Sequence, residues 1–232
     1  MFHPSGPTFF ELAEQALSST REGNDLLSPK YDFSTYRTPD QLVAAIAPYF
    51  GEPKRGLDVC CGTGAGLREL LPRCSERVVG IDCSAGRLDQ ARESLAEVER
   101  QVEPEILQAD VLDMEFEDEF DLALCLGALG HFVGDDLELL FSRIFRALQL
   151  GGELMLITGE RPKLWLLEFW LSWGFDAAIW VRNQIWQPPF VMYYLSLSRD
   201  SVQSVLERVG FEVRIEKPKA LGGFLLVVAK IT

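Results

Sequence analysis

Short apolar runs alternate with amphipathic segments along most of the chain. The runs have the length and the turn-forming flanks of buried strands. We predict strands at residues 56–60, 78–82, 105–109, 120–126, 153–158, 211–216 and 224–230. The segments between them repeat apolar residues every three or four positions, which is the period of a helix with one buried face. We predict helices from Thr8, from Thr38 to about Gly51, and over residues 84–102, 135–149 and 198–209.

Capping residues indicate where several of these helices begin. Thr8 and Glu11 have the spacing of a capping box, in which each side chain bonds the backbone N–H of the other residue. In the segment 38–41 we expect the threonine to cap, the proline to take the first helical position and the glutamine to reach back. Ser84 is expected to cap the next long helix. Residues 18–37 are polar and turn-rich, and no helix is predicted there.

The alternation of strands and helices predicts the fold class. We expect an α/β fold with a doubly wound, mostly parallel seven-stranded sheet and helices on both faces. Only a short turn joins the last two strands, so the last strand is expected to be antiparallel. The predicted parts are an N-terminal helical cap (1–37), a Rossmann-like core (38–163), an aromatic-rich insert after strand five (164–197) and a C-terminal helix with two strands (198–232).

The first two predicted strands end in residues suited to binding a nucleoside. The first leads into the small-residue loop 62–66, whose glycines let the backbone approach a ligand closely. The second ends in Asp82, about 20 residues on, where a βαβ unit holds ribose hydroxyls. Position 67 is Leu, so the dinucleotide pattern Gly-x-Gly-x-x-Gly is absent, and no phosphate-loop lysine follows. Together with Asp58, these features favour a cofactor that has a ribose and a zwitterionic amino-acid tail.

Five sequence blocks resemble the motifs of the class I S-adenosylmethionine-dependent methyltransferases. They follow the family's order and spacing between residues 38 and 158. The blocks are Asp58-Val59-Cys60-Cys61-Gly62-Thr63-Gly64, Val79-Gly80-Ile81-Asp82-Cys83-Ser84, Gln108-Ala109-Asp110-Val111, Phe120-Asp121-Leu122-Ala123-Leu124 and Arg146-Ala147-Leu148-Gln149-Leu150-Gly151-Gly152. Cys60 replaces the first glycine of the family's loop. A positive φ would be costly for cysteine, so we expect Cys60 to be strand-like and to offer only backbone contacts.

The resemblance implies S-adenosylmethionine as the cofactor and a role for each motif residue. Asp82 would hold the ribose, Asp110 and the Val111 backbone the adenine, and the glycine loop the amino-acid tail. An aspartate at a strand end can also be a simple turn former. Arg37 could pair with the methionyl carboxylate, although it could equally be a surface residue. The expected cofactor-binding residues are Asp58, Cys60, Gly62, Gly64, Asp82, Cys83, Asp110, Val111, Leu126, Gly127 and Arg37.

The segment 126–132 after strand four is expected to cover the sulfonium, since in the family it lines the methyl-transfer site. His131 is the candidate general base for an acceptor whose nucleophile carries a proton. The histidine could instead cap or pack. A sulfonium is already a good leaving group, and in-line positioning supplies much of the acceleration.

Charge and cysteine content narrow the class of partner. The formal net charge of −13 would repel phosphate backbones, which argues against nucleic acid as a substrate. The five cysteines include no Cys-x-x-Cys pair and no accompanying histidine cluster, so no metal site is expected. Their placement in buried strands is typical of reduced thiols in a cytoplasmic protein. Cys61 and Cys83 are expected to pack rather than to act as nucleophiles.

All five tryptophans lie in the insert, between Leu164 and Leu195. Three interpretations compete: a lid that receives an apolar or aromatic acceptor, a peripheral membrane or dimer contact, and a helical subdomain with an ordinary core. A transmembrane span is not expected, because Glu168, Asp176 and Arg182 interrupt the segment.

The sequence therefore predicts an enzyme that transfers a methyl group to a small, apolar or aromatic molecule by direct displacement. Two other functions stay open. The chain could be a non-catalytic module that binds S-adenosylmethionine or S-adenosylhomocysteine. It could also be a nicotinamide-dependent oxidoreductase, which Leu67 disfavours.

Overall fold

A computed structural model describes residues 5–33, 38–159, 163–193 and 198–232. The helices are α1 (Phe9–Leu17), α2 (Thr20–Leu27), α3 (Asp40–Ile46), α4 (Ala65–Leu70), α5 (Ala85–Leu95), α6 (Asp135–Ala147), α7 (Leu167–Ile185) and α8 (Arg199–Val209). The strands are β1 (Arg55–Val59), β2 (Arg77–Asp82), β3 (Pro104–Gln108), β4 (Phe120–Cys125), β5 (Leu148–Gly159), β6 (Glu212–Glu216) and β7 (Phe224–Lys230).

The strands form one seven-stranded sheet in the order β3-β2-β1-β4-β5-β7-β6. Pairing is parallel from β3 through β5, and β7 runs antiparallel to both of its neighbours. Apolar residues of the strands feed two hydrophobic clusters, so helices cover both faces of the sheet. The predicted fold class is confirmed.

The strand order brings the first three motif blocks and the segment after β4 to one edge of the sheet. β1 lies between β2 and β4: the chain passes from β1 outward through β2 to β3, and then crosses back over to β4 on the other side of β1. Such a switch point opens a crevice beyond the carboxyl ends of the strands. The residues that follow Val59, Asp82 and Cys125 therefore face one space.

Helix α2 contradicts the prediction of a turn-rich segment at 18–37. Ser19 caps it, and its side chain and that of Glu22 form a complete capping box. Thr8 and Glu11 form the same motif at the start of α1, as predicted. The α2 sequence is mostly polar and carries no apolar period that would predict a helix.

Three predicted helix boundaries were wrong. Thr38 makes no cap to α3, for which Pro39 is the N-cap residue. Helix α5 ends at Leu95, whose carbonyl accepts hydrogen bonds from the Val98 N–H and the Arg100 guanidinium. The turn at Gly151-Gly152 does not end α6 but lies inside β5, where backbone bonds to Ile231 draw it into the sheet.

The insert consists mainly of α7, a helix of 19 residues. Phe169 and Ile179 on α7 and Phe190 beyond it are buried. The tryptophans are not core residues, since their exposed fractions run from 51% to 76%. No helix among the described residues is long and apolar enough to cross a lipid bilayer.

Candidate functional site

A cavity of about 250 Å³ lies where β1, β2 and β4 end. The loop after β1 forms one wall, and residues that follow β2, β3 and β4 form the others. Side chains of α2 and Tyr31 close it from the N-terminal side. The predicted residues that line it are Asp58, Cys60, Gly62, Asp82, Cys83, Asp110, Val111, Leu126, Gly127 and His131.

Asp82 is tied to the glycine loop. Its Oδ2 accepts a hydrogen bond of 3.0 Å from the Gly62 N–H, and its Oδ1 accepts one of 2.9 Å from the Ser84 N–H. The side chain is 4% exposed. A carboxylate has about four lone-pair sites, so two remain for other donors. Asp82 can thus fix the loop and still bind a diol in the cavity.

Cys60 does not have the strand-like backbone that we predicted. Its φ is +58°, in the left-handed region, where glycine would be unstrained. The turn directs the next residue so that the Cys61 N–H donates to the Ile81 carbonyl over 3.1 Å. Cys60 therefore adopts a backbone conformation that favours glycine, and the surrounding contacts hold the strain.

Asp58 is a buried carboxylate with an incomplete set of partners. It is 2% exposed and accepts a hydrogen bond from the Leu67 backbone, yet its Oδ2 has no partner among the described residues. Gly66 packs on it so closely that a Cβ there would lie 2.4 Å from Oδ2. Burial, followed by repulsion from Asp82, raises the Asp58 pKa to about 8. A cation in the cavity would offset the free-energy cost of ionising Asp58.

Two of the remaining glycines have different roles. Gly127 lines the cavity with φ +78°, and a Cβ there would lie 2.1 Å from Thr38 Oγ1. This contact places Thr38 in the cavity wall instead of at a helix cap. Gly64 does not line the cavity: it is the N-cap residue of α4, with φ +86°.

Asp110 and Val111 follow β3 at the far end of the cavity. The Asp110 side chain accepts a hydrogen bond of 2.9 Å from the Leu112 N–H, as a turn-forming aspartate does. Val111 is buried and lines the cavity. Asp110 thus forms the turn after β3, and the same segment lines the cavity.

His131 is held in one orientation. Its Nδ1 lies 2.7 Å from the Val191 carbonyl oxygen, which can only accept, so in the neutral ring Nδ1 carries the proton. Nε2 is then free to accept a proton. Burial lowers the His131 pKa below its usual value, despite the opposing Val191 bond. The ring is therefore a neutral base at pH 7.

Helix α2 is fixed over the cavity by α5. The Arg87 guanidinium donates to Asn24 Oδ1 over 2.9 Å and lies 4.1 Å from the centre of the Tyr31 ring. Arg87 is only 8% exposed, and its Nε has no hydrogen-bond partner among the described residues. Ser84 Oγ adds a bond to Asp25 on α2.

Several cavity residues were not predicted. They are Thr20, Arg21, Asn24, Arg87 and Asp136. The Ser19 capping box could have revealed the helix that carries three of them, as Thr8 did for α1. Arg87 offered no such signal, because arginine on a helix is usually exposed. Arg37 lies outside the described residues.

The cysteines do not provide a nucleophile. All five are free thiols. Burial raises the pKa of Cys60 and Cys61 well above the usual value and that of Cys83 to about 11. Only a thiolate reacts readily, so these side chains line the cavity as neutral groups.

The charge around the cavity is mainly negative. Asp82, Asp110 and Asp136 line it beside the largely protonated Asp58, against Arg21 and Arg87. Acidic walls favour a cationic ligand and disfavour a pyrophosphate. The unpartnered Asp58 oxygen can accept a hydrogen bond from an ammonium group, and Asp82 can bind the two hydroxyls of a ribose. The cavity therefore suits a nucleoside that carries an ammonium group and a second positive charge.

Comparison with known proteins finds methyltransferases, which is the family that the sequence motifs resemble. A family model described as a methyltransferase domain matches residues 57–152. An uncharacterized methyltransferase of Synechocystis is 29% identical over 74% of this chain and 73% of its own length. Phosphoethanolamine N-methyltransferase 2 of Caenorhabditis elegans is 36% identical over 48% of this chain, which spans only 26% of that protein.

A solved structure agrees in fold. An S-adenosylmethionine-dependent methyltransferase from Methanosarcina mazei superimposes with a TM-score of 0.64, over 80% of this chain and 96% of that one, at 18% identity. The motif order, the strand order and the matched domain confirm the resemblance seen in the sequence. Residues 57–152 thus match a methyltransferase domain, and the chain has the fold of solved S-adenosylmethionine-dependent methyltransferases.

Proposed function

We propose that the protein transfers the methyl group of S-adenosylmethionine to a small apolar or aromatic acceptor bound beside His131 and Phe132. The observation that supports this most is the continuous cavity from the Asp82–Gly62 contact to His131. Leu112, Leu126 and Phe132 contribute apolar side chains to its lining. Mostly apolar lining with a few polar groups is typical of small-molecule sites.

The proposed cofactor contacts follow from the groups that lack partners. Asp82 would use its remaining lone pairs for the ribose hydroxyls. Asp58 would accept from the ammonium of the methionyl tail, next to the glycine loop. Asp110 and the Val111 backbone would hold the adenine. Leu126 and Gly127 would lie along the sulfonium, which supplies an activated methyl group when the cofactor is bound.

The protein's share of the reaction would be mainly positional. Helix α2 closes the cavity and would exclude water from it. The walls would hold the acceptor nucleophile in line with the methyl group, which can supply several kcal/mol of the barrier reduction, roughly 7 or more in favourable cases. Where the nucleophile carries a proton, His131 Nε2 would take it.

A methyl-transfer assay tests this function. Purified protein with methyl-labelled S-adenosylmethionine and fractions of an apolar metabolite extract should yield a labelled small molecule together with S-adenosylhomocysteine. A Phe132→Asp variant, which places a charge among the apolar side chains of the lining, should lose transfer while retaining cofactor binding. Tight cofactor binding with no transfer to any fraction would instead favour the non-catalytic module. Label found only on charged acceptors would overturn the proposed acceptor class.

A further inference from the structure

Helix α7 presents an apolar seam to its surroundings. The seam residues recur alternately after four and three positions, which is the spacing of contacts between two packed helices. Their exposed fractions are 72% for Leu167, 64% for Leu171, 47% for Val181 and 77% for Ile185. Gly174 and Ala178 in the middle are also exposed. The seam consists of Leu167, Leu171, Gly174, Ala178, Val181 and Ile185.

The polar residues of α7 point the other way. Arg182 donates to the carbonyl oxygens of Ala16 and Ser18 at the end of α1. Asn183 exchanges two hydrogen bonds of 2.9 Å with the backbone of Phe190. A surface helix ordinarily turns its polar residues to water and its apolar residues to the core. The apolar seam nevertheless faces away from Phe169 and Ile179, the buried apolar residues of α7, which indicates that another surface covers the seam.

The order of side-chain sizes along the seam is symmetric about Asp176. Leu167 mirrors Ile185, Leu171 mirrors Val181, and Gly174 mirrors Ala178. When two such helices pack antiparallel, large residues meet large ones at the ends, and small residues meet at the centre. Small side chains at the crossing point allow close approach of the axes. The surface is therefore complementary to itself, which a two-fold symmetric contact requires.

From this symmetry we propose that α7 is the dimer interface, with the seam packed antiparallel against the same seam of a second copy. Trp170 lies beside the seam and is 55% exposed. The contact would bury the exposed parts of the seam on both copies.

A lipid surface fits these observations less well. Helices that lie on membranes carry basic residues on the face opposite to the apolar one. In α7 that face packs against the protein instead, through Arg182 and Asn183. The net charge of −13 also opposes approach to anionic lipid. A membrane would require no match of residue sizes about a centre.

Cysteine pairing tests both the partner and its direction. In the Leu171→Cys/Val181→Cys double variant the new thiols are about 15 Å apart within one helix, too far to join each other. Oxidised glutathione should therefore join one chain's residue 171 to residue 181 of another, giving a covalent dimer on a non-reducing gel. Neither single variant should form it alone, but a mixture of the two should. Absence of the dimer, or its formation by a single variant, would overturn the antiparallel interface.

A size change at the centre separates a second copy from a lipid surface. Nothing lies within 4 Å of a Cβ added at Gly174, so Gly174→Leu fits the single chain. It should raise the dimer dissociation constant at least tenfold in sedimentation velocity, because it blocks close approach. Ala44→Leu, on an exposed site of α3, should leave that constant unchanged. An unchanged dimer constant, with stronger binding of Gly174→Leu to phosphatidylcholine vesicles, would overturn the proposal in favour of lipid.

Discussion

Asp58 and Asp82, at the ends of neighbouring strands, differ in how far hydrogen bonds satisfy their carboxyl groups. Asp82 accepts two backbone N–H groups, which satisfy much of a buried carboxylate. Asp58 keeps an unpartnered oxygen, and its pKa is raised to about 8. At neutral pH Asp58 is thus largely protonated in the free protein, and a cation in the cavity would favour its charged form.

We predict opposite effects of Asp58→Asn on stability and on binding. The folded-state pKa lies above the unfolded value, so the free energy of unfolding falls as pH rises from about 4 to about 8. The asparagine removes this loss and should stabilise the free protein at pH 8 by about 1–3 kcal/mol. It should also weaken S-adenosylmethionine binding about tenfold or more.

Thermal unfolding and calorimetric titration at pH 6 and pH 8 measure both effects. In the wild type, affinity for S-adenosylmethionine should increase with pH as Asp58 ionises, whereas in the variant it should not. Equal affinity of the two proteins at pH 8 would show that Asp58 does not contact the cofactor.

One substitution can separate the role of His131 as a base from its role in holding the Val191 segment. His131→Asn keeps a donor for the Val191 carbonyl but has no basic nitrogen. If the ring is the base, wild-type kcat/KM should fall as pH drops through its lowered pKa, below about 6.5, since protonation removes the accepting Nε2. The asparagine variant should then lose about 100-fold in kcat with little change in KM. Full turnover by His131→Asn across the pH range would assign the residue to positioning alone.

At the scale of elements, the sequence predicted the strands more reliably than the helices. Strands buried on both faces are continuous apolar runs, and such runs change little with context. Helix α2 was missed because tertiary contacts from Arg87 and Gln90, rather than an apolar stripe, hold it in place. The outward seam of α7 could not be assigned a face, because periodicity gives the spacing of a stripe and not its direction.

The attachment of α2 to α5 should control how long the cofactor stays bound. Arg87→Met keeps the length of the side chain but removes the Asn24 hydrogen bond and the contact with Tyr31. Losing both is worth about 1–3 kcal/mol, so dissociation of S-adenosylhomocysteine should accelerate roughly tenfold in stopped-flow measurements. The control is Arg92→Met on the same helix, where the side chain is exposed and pairs with Asp89. Equal effects of the two variants would contradict the role of α2 as a cover.

For the whole molecule, topology explains why a few motifs located the site. Residues that are far apart in the chain meet because β1 separates two oppositely directed crossovers, so the first three motif blocks lie at the same sheet edge. The sequence therefore located the cavity. Of the proposed acceptor wall it indicated only the segment 126–132, because the residues packed beside Phe132 depend on the entire fold. The identity of the acceptor rests on side-chain shape and not on any motif.

Calorimetric titration of the wild type and of Asp82→Ala with S-adenosylhomocysteine tests the cleft most directly. The wild type should bind one equivalent. Loss of charge-assisted bonds to the ribose costs about 1.5–3 kcal/mol, so the variant should bind about 10- to 100-fold more weakly. Asp89→Ala, an exposed site on α5, should bind as the wild type does. Unchanged affinity in folded Asp82→Ala, or tighter binding of a nicotinamide dinucleotide by the wild type, would contradict this assignment of the cofactor site.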